Sequence, residues 1–179
     1  MKKYSRKPNK SGGGAKTNFN GLSFEGRTSI IDSLKLHPDI QIQEGDIIKY
    51  KNKMIGFYTE KHKFYDTFLK IHDIDWRNIN SKKYLPDSVL VNNRKKIVYI
   101  IEKKYQSGSG SVDEKLQTCD FKKEVYTNLI EKTGYKTEYY YLLNNWFERK
   151  EYNDVKKYIL QVGCNFFINK IDLKQLGIF

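Results

Sequence analysis

The sequence predicts an α/β fold, a central mixed β-sheet flanked by helices. Three features of the 179 residues lead there. The run Ile97-Val98-Tyr99-Ile100-Ile101 is apolar on both alternating faces, the pattern of a strand covered above and below. Apolar stripes at helical spacing lie on either side of it: Leu22, Phe24, Ile30, Ile31 and Leu34 before, and Val112, Leu116, Cys119, Tyr126, Leu129 and Ile130 after. Helix-like and strand-like segments then alternate to the end of the chain, the order from which layered α/β sandwiches are built.

Residues 1–20 form a zone of their own. Lys2, Lys3, Arg6, Lys7, Lys10 and Lys16 are cationic, no acid falls among them, and Gly12-Gly13-Gly14 interrupts them. Such a stretch buries no apolar surface and reads as a basic arm, suited to following phosphates. Residues 21–179 are the size of one domain with one core. A helix is expected from Gly21, stopped by Pro38. Asp46–Lys51 and Met54–Tyr58 read as strands of a hairpin turning at Asn52 and Lys53. Residues 60–80 are mixed, with Phe64, Phe68, Leu69 and Ile71 suggesting a helical piece. Strands at 84–92 and 96–104 flank the turn residues Asn92, Asn93 and Arg94. After a Ser/Gly loop from Ser107 to Gly110, Ser111 opens a helix with Glu114 three residues on, a capping box, and Gly134 closes it. A strand at 136–143, a helix at 151–162 and a strand at 164–168 complete the order. On the first of these strands Tyr139, Tyr140 and Tyr141 alternate faces, so at least one belongs to the core.

Net charge is +12, from 33 Lys and Arg against 21 Asp and Glu, which favours a polyanionic partner. No apolar run is long enough for a membrane span, and no apolar stretch follows the basic start as a secretory signal requires. Cys119 and Cys164 have no cysteine or histidine at metal spacing and read as reduced core thiols of a cytoplasmic protein. His37, His62 and His72 are scattered, and neither a Walker loop nor a Gly-x-Ser-x-Gly elbow is present.

The chemistry concentrates in Pro86-Asp87 and, after a gap of 14 residues, Glu102-Lys103-Lys104. Glu102 and Lys104 lie two apart on a strand and share a face, and the short turn brings Asp87 alongside. Two carboxylates and one ammonium then converge. Paired carboxylates suit Mg²⁺, a hard cation that takes oxygen ligands and keeps several waters. Such an ion offsets charge on a scissile phosphate and acidifies water, while a lysine stabilises the developing charge or acts as a base. The plain alternative is a strand running out into solvent, with Glu102 and Lys104 as an exposed ion pair.

Pro86-Asp87 with Glu102-Lys103-Lys104 resembles the PD-(D/E)XK nuclease superfamily, and type II restriction endonucleases within it. The context matches too: a turn between two strands, the acid at the end of the second, and a helix just after. Gln106 extends the motif to Glu-x-Lys-x-Gln, and residues 106–118 and Gly21-Leu22-Ser23-Phe24-Glu25 look like segments found in restriction enzymes. The resemblance implies a restriction endonuclease-like core, Asp87, Glu102 and the Lys103 carbonyl as Mg²⁺ ligands, and Lys104 as the catalytic lysine. It also implies that Glu25 binds the metal directly or through water, and that Gln106 holds water or phosphate. Ser109 and Ser111 sit where the loop and helix start would meet phosphate through backbone N–H groups, although Asp113 and Glu114 oppose an anion there. The implied activity is hydrolysis of double-stranded DNA at defined sites, leaving 5′-phosphates. Cutting a palindrome favours a homodimer, and restriction allows a companion DNA methyltransferase in the host. A Holliday-junction resolvase, which shares the motif and the basic surface, and a non-catalytic DNA-binding protein are the alternatives. Deleting residues 2–16 is expected to weaken DNA binding and flatten its salt dependence; an unchanged slope in a salt titration would show that the arm touches no phosphate.

Overall fold

The computed structural model describes residues 21–24, 26–108 and 112–179. Among these residues seven strands form one mixed sheet whose spatial order follows the chain: β1 Ile40–Gln43, β2 Ile47–Tyr50, β3 Lys53–Thr59, β4 Ser88–Asn92, β5 Ile97–Lys104, β6 Lys136–Leu143 and β7 Asn165–Ile168. The first five pair antiparallel as a meander, while β5, β6 and β7 are parallel. Parallel neighbours need crossovers. Helices α3 Val112–Leu116 and α4 Cys119–Ile130 lie between β5 and β6, and α5 Asn153–Gln161 lies between β6 and β7. Two short helices precede them, α1 Ile30–Lys35 and α2 His62–Phe64. No helix among the described residues is long and apolar enough to cross a membrane.

The period-2 alternation of β4, β5 and β6 divides the core into two layers. Val89, Val91, Val98, Ile100, Tyr139 and Tyr141 pack with α4 and α5 on one face. Leu90, Tyr99, Ile101, Tyr140 and Leu142 pack with α1 and with Leu176 and Ile178 on the other. The tyrosine triplet is therefore buried throughout, two rings on the first face and one on the second. Cys119 and Cys164 are both buried and free. At the β4–β5 turn, buried Asn92 donates from Nδ2 to the carbonyls of Leu176 and Gly177 (both 3.0 Å) and accepts the Lys95 N–H at 3.0 Å. One side chain thus closes the hairpin and pins the segment after β7 beneath it.

Several local expectations are corrected. The helix foreseen from Gly21 to Pro38 breaks at Thr28, whose hydroxyl donates back to the Phe24 carbonyl (2.7 Å). Ser29 then starts α1, its Oγ accepting the Asp32 N–H at 3.3 Å. The four-residue strand β1 was hidden, because Ile40 and Ile42 alone are too short a run to show alternation. The strand expected from residue 84 begins at Ser88, since Pro86 has no N–H for a ladder. The helix after the Ser/Gly loop divides into α3 and α4 at Gln117 and Thr118, and Ser111 with its capping box lies outside the described residues. The helical piece at 60–80 is α2 running into a π-helical stretch, Tyr65–Leu69. It buries Phe64, Phe68 and Leu69 but leaves Ile71 exposed.

Gly56 marks the closest approach in the sheet. It pairs with Ile48 on β2 and Asn92 on β4, and a Cβ there would run into the carbonyl oxygen of Val91. Gly56→Ala is expected to cost about 3 kcal/mol of stability through this overpacking. A urea midpoint within error of the parent's would show that β3 and β4 separate freely.

Candidate active site

The β4–β5 register builds the site. Ser88 pairs with Ile101, so one step further along the antiparallel pair Asp87 stands opposite Glu102 and Pro86 opposite Lys103. Pro86 has no N–H to offer β5, and its carbonyl turns the other way to accept the Lys61 N–H at 2.9 Å. The Lys103 N–H donates instead to Asp87 Oδ2 at 2.8 Å. A side-chain carboxylate thus takes over where backbone pairing stops, which fixes Asp87 at the end of the hairpin.

By alternation, Asp87, Glu102 and Lys104 all point to the α4 face, with Val89, Val98 and Ile100. The Lys104 ammonium lies 2.8 Å from Glu102 Oε2, 3.1 Å from the Lys103 carbonyl and 3.5 Å from Asp87 Oδ2. Glu102 is only 5% exposed, so the reading of an exposed ion pair at a strand end is ruled out. A buried lone carboxylate costs several kcal/mol, and compensating partners are required. Lys104 is one. Lys122 on α4 is the other, its Nζ 3.2 Å from the same Oε2. Burial works against the Lys104 ammonium, yet Glu102 and then Asp87 outweigh it and hold the Lys104 pKa above the ordinary lysine value. In this arrangement the two carboxylates favour the charged ammonium of Lys104. Behind Glu102, the Tyr126 and Tyr139 hydroxyls are pushed upward, first by burial and then by the Glu102 charge.

The oxygens of Asp87, Glu102 and Lys103 that the resemblance assigns to Mg²⁺ are the three that already surround one cation, Lys104. All are hard oxygen donors, so the donor set fits Mg²⁺. Among the described residues no three His, Cys, Asp or Glu side chains gather as a metal cage. Mg²⁺ does not need one, because it keeps several waters beside one or two carboxylates.

A cavity of about 300 Å³ opens on the other side of Asp87, lined also by Asp32, Glu60, Lys61 and Lys103. Glu60 accepts from the Tyr58 hydroxyl, which lies 2.8 Å from the Ser88 hydroxyl. This chain of contacts ties the end of β3 to the first residue of β4.

Gln106 is buried beyond β5, where the chain meets the end of β6. Its N–H donates to Asn144 Oδ1 at 3.0 Å, Asn144 Nδ2 donates to its carbonyl at 2.8 Å, and its Nε2 lies 3.5 Å from the Tyr152 hydroxyl. These contacts make it a clasp between neighbouring parallel strands. Glu25, Ser109, Ser111 and the arm residues Lys2, Lys3, Arg6, Lys7, Lys10 and Lys16 lie outside the described residues. Sequence reading missed Lys122 and Glu60. For Lys122 a signal existed: it falls at helical spacing between Cys119 and Tyr126, a charge on an apolar stripe. For Glu60 none did, because only the fold brings the end of β3 to Asp87.

No protein-family model, curated protein or solved structure matches the chain. Asn144→Ala removes both hydrogen bonds that hold the Gln106 backbone and is expected to cost about 2 kcal/mol. Chemical denaturation measures it, and a loss near zero would remove the clasp from the account of the site.

Proposed function

We propose that the chain is a Mg²⁺-dependent endonuclease of PD-(D/E)XK type, cutting double-stranded DNA at defined sites in the manner of a type II restriction enzyme. The observation that carries this reading is the convergence of Asp87 Oδ2, Glu102 Oε2 and the Lys103 carbonyl on a single cation at the end of a paired hairpin. The structural context named in the resemblance supports it as well. The turn joins two strands, the acid ends the second, and helices follow. Net charge of +12 suits a polyanionic substrate.

In this reading Asp87, Glu102 and the Lys103 carbonyl hold Mg²⁺. Bound there, the ion would supply charge neutralisation at the scissile phosphate and would make an attacking water more acidic. Asp87 is kept in position by the Lys103 N–H, so its carboxylate needs no reorganisation to serve. Lys104 brings a positive charge to the phosphate oxygens, where charge builds as the P–O3′ bond breaks to leave a 5′-phosphate. Partly buried side chains around the carboxylates limit water, which strengthens each of these interactions.

Incubation with phage-sized duplex DNA in Mg²⁺ or EDTA is expected to give discrete bands only with Mg²⁺. Glu102→Gln and Lys104→Ala should each abolish cleavage, by a factor on the order of 100 or more, while retaining much of the DNA affinity. Near-parental cutting by either variant would remove the assignment. A Mg²⁺-dependent smear would keep the nuclease and remove the site specificity. Cleavage confined to branched DNA would favour junction resolution.

A further inference from the structure

We propose that Lys122 is a built-in counterion of Glu102 which a divalent cation displaces, and that the ammonium so released turns to the scissile phosphate. The proposal rests on the nuclease reading and adds a residue to its site. Two ammonium groups share one carboxylate oxygen: Lys104 Nζ at 2.8 Å and Lys122 Nζ at 3.2 Å from Glu102 Oε2. Together with Asp87 they make a set of two carboxylates and two ammoniums that is neutral without any metal. A divalent ion coordinating that oxygen would bring two further positive charges against both lysines, and like charges that close repel strongly.

The two lysines are not equally held. Lys104 has the Lys103 carbonyl and Asp87 as further acceptors and is 16% exposed at its side chain. Lys122 is 28% exposed, and the bond to Glu102 is the one hydrogen bond of its ammonium among the described residues. Its backbone is fixed by α4, whose neighbouring stripe residues Cys119 and Tyr126 are buried. Only the four-carbon stem is free to move, and a lysine head on such a stem is a mobile point charge. An ion taking the three oxygens of Asp87, Glu102 and Lys103 shifts Lys104 as well, but Lys122, held by one of them only, is the group released. The same displacement lets it supply positive charge from the α4 side, while Lys104 supplies it from β5.

The test uses the full chain and Mn²⁺ as the spectroscopically visible probe, read by electron paramagnetic resonance titration, alongside steady-state DNA cleavage. Lys122→Met keeps the aliphatic stem and removes the charge. It is expected to bind Mn²⁺ about fivefold more tightly than the parent, because a competing cation is gone. Its kcat/KM for cleavage should fall on the order of 100-fold, because a phosphate donor is gone. Lys122→Arg, which restores the charge, should return Mn²⁺ affinity and most of the cleavage. Unchanged or weaker Mn²⁺ binding by Lys122→Met overturns the counterion role, and tighter binding with undiminished cleavage overturns the phosphate role. Glu102→Gln separates the two levels of failure. If the parent binds Mn²⁺ no better than Glu102→Gln does, the metal site itself is wrong and the proposal falls with it. If Glu102→Gln loses binding while Lys122→Met matches the parent, only the proposal falls.

Discussion

Everything around the site depends on the register of one antiparallel hairpin. With Ser88 opposite Ile101, Asp87 faces Glu102, and both project to the α4 side of the sheet. A slip of β5 by one residue would turn Glu102 and Lys104 to the opposite face, toward Leu90, Tyr140 and Leu142, and would bury two charges without partners. The register is held from both ends. Asn92 closes the turn and grips the Leu176 and Gly177 carbonyls, and the Asp87 carboxylate takes the Lys103 N–H where Pro86 ends the ladder. Between them, Val89, Leu90, Val91, Val98, Ile100 and Ile101 are all fully buried, so either neighbouring register would also force close-packed side chains of different shape to repack.

The energetics of the charged cluster follow from burial. A carboxylate as enclosed as Glu102 is tolerable only with charge-assisted partners, and two ammoniums converge on one of its oxygens. Removing one partner does not simply lose an ion pair; it leaves part of a desolvated charge uncompensated. Tyr126 and Tyr139, buried in the same layer, feel the Glu102 charge as well, and it adds to the upward push that burial gives their hydroxyls. A lysine on an apolar helix stripe is therefore where it must be for the acid opposite to be buried.

The sheet and its layers were legible because their signals are local. The apolar run before Glu102, the turn at Asn92 to Arg94 and the stripe from Leu116 to Ile130 each declare themselves within a dozen residues. So did the convergence of Asp87, Glu102 and Lys104, since a hairpin turns sequence spacing into contact. Signals that come only from tertiary partners were not legible. β1 exists because Ile40 and Ile42 find β2, and the π-helical stretch at Tyr65–Leu69 exists where Phe64 and Phe68 stack. The break at Thr28 was a contest between a helical pattern and a hydroxyl that bonds back to Phe24, and pattern reading does not score such local competition. Glu60 reaches the Asp87 cavity through the Pro86–Lys61 contact, which no spacing rule anticipates.

The parallel crossover that follows β5 has a consequence for the order in which the molecule takes shape. The β4–β5 hairpin closes a short loop, whereas β5 and β6 join Ile97 to Lys136 across the whole of α3 and α4. Short loops close first, and long-range pairing waits for its entropy to be repaid. The hairpin alone brings two acids and one lysine together, an unbalanced arrangement with one negative charge in excess. Only when α4 docks does Lys122 arrive and the cluster become neutral. Nascent strands therefore meet with a residual repulsion between Asp87 and Glu102 that the crossover helix relieves, and maturation of the site is tied to docking of α4 rather than to closure of the turn.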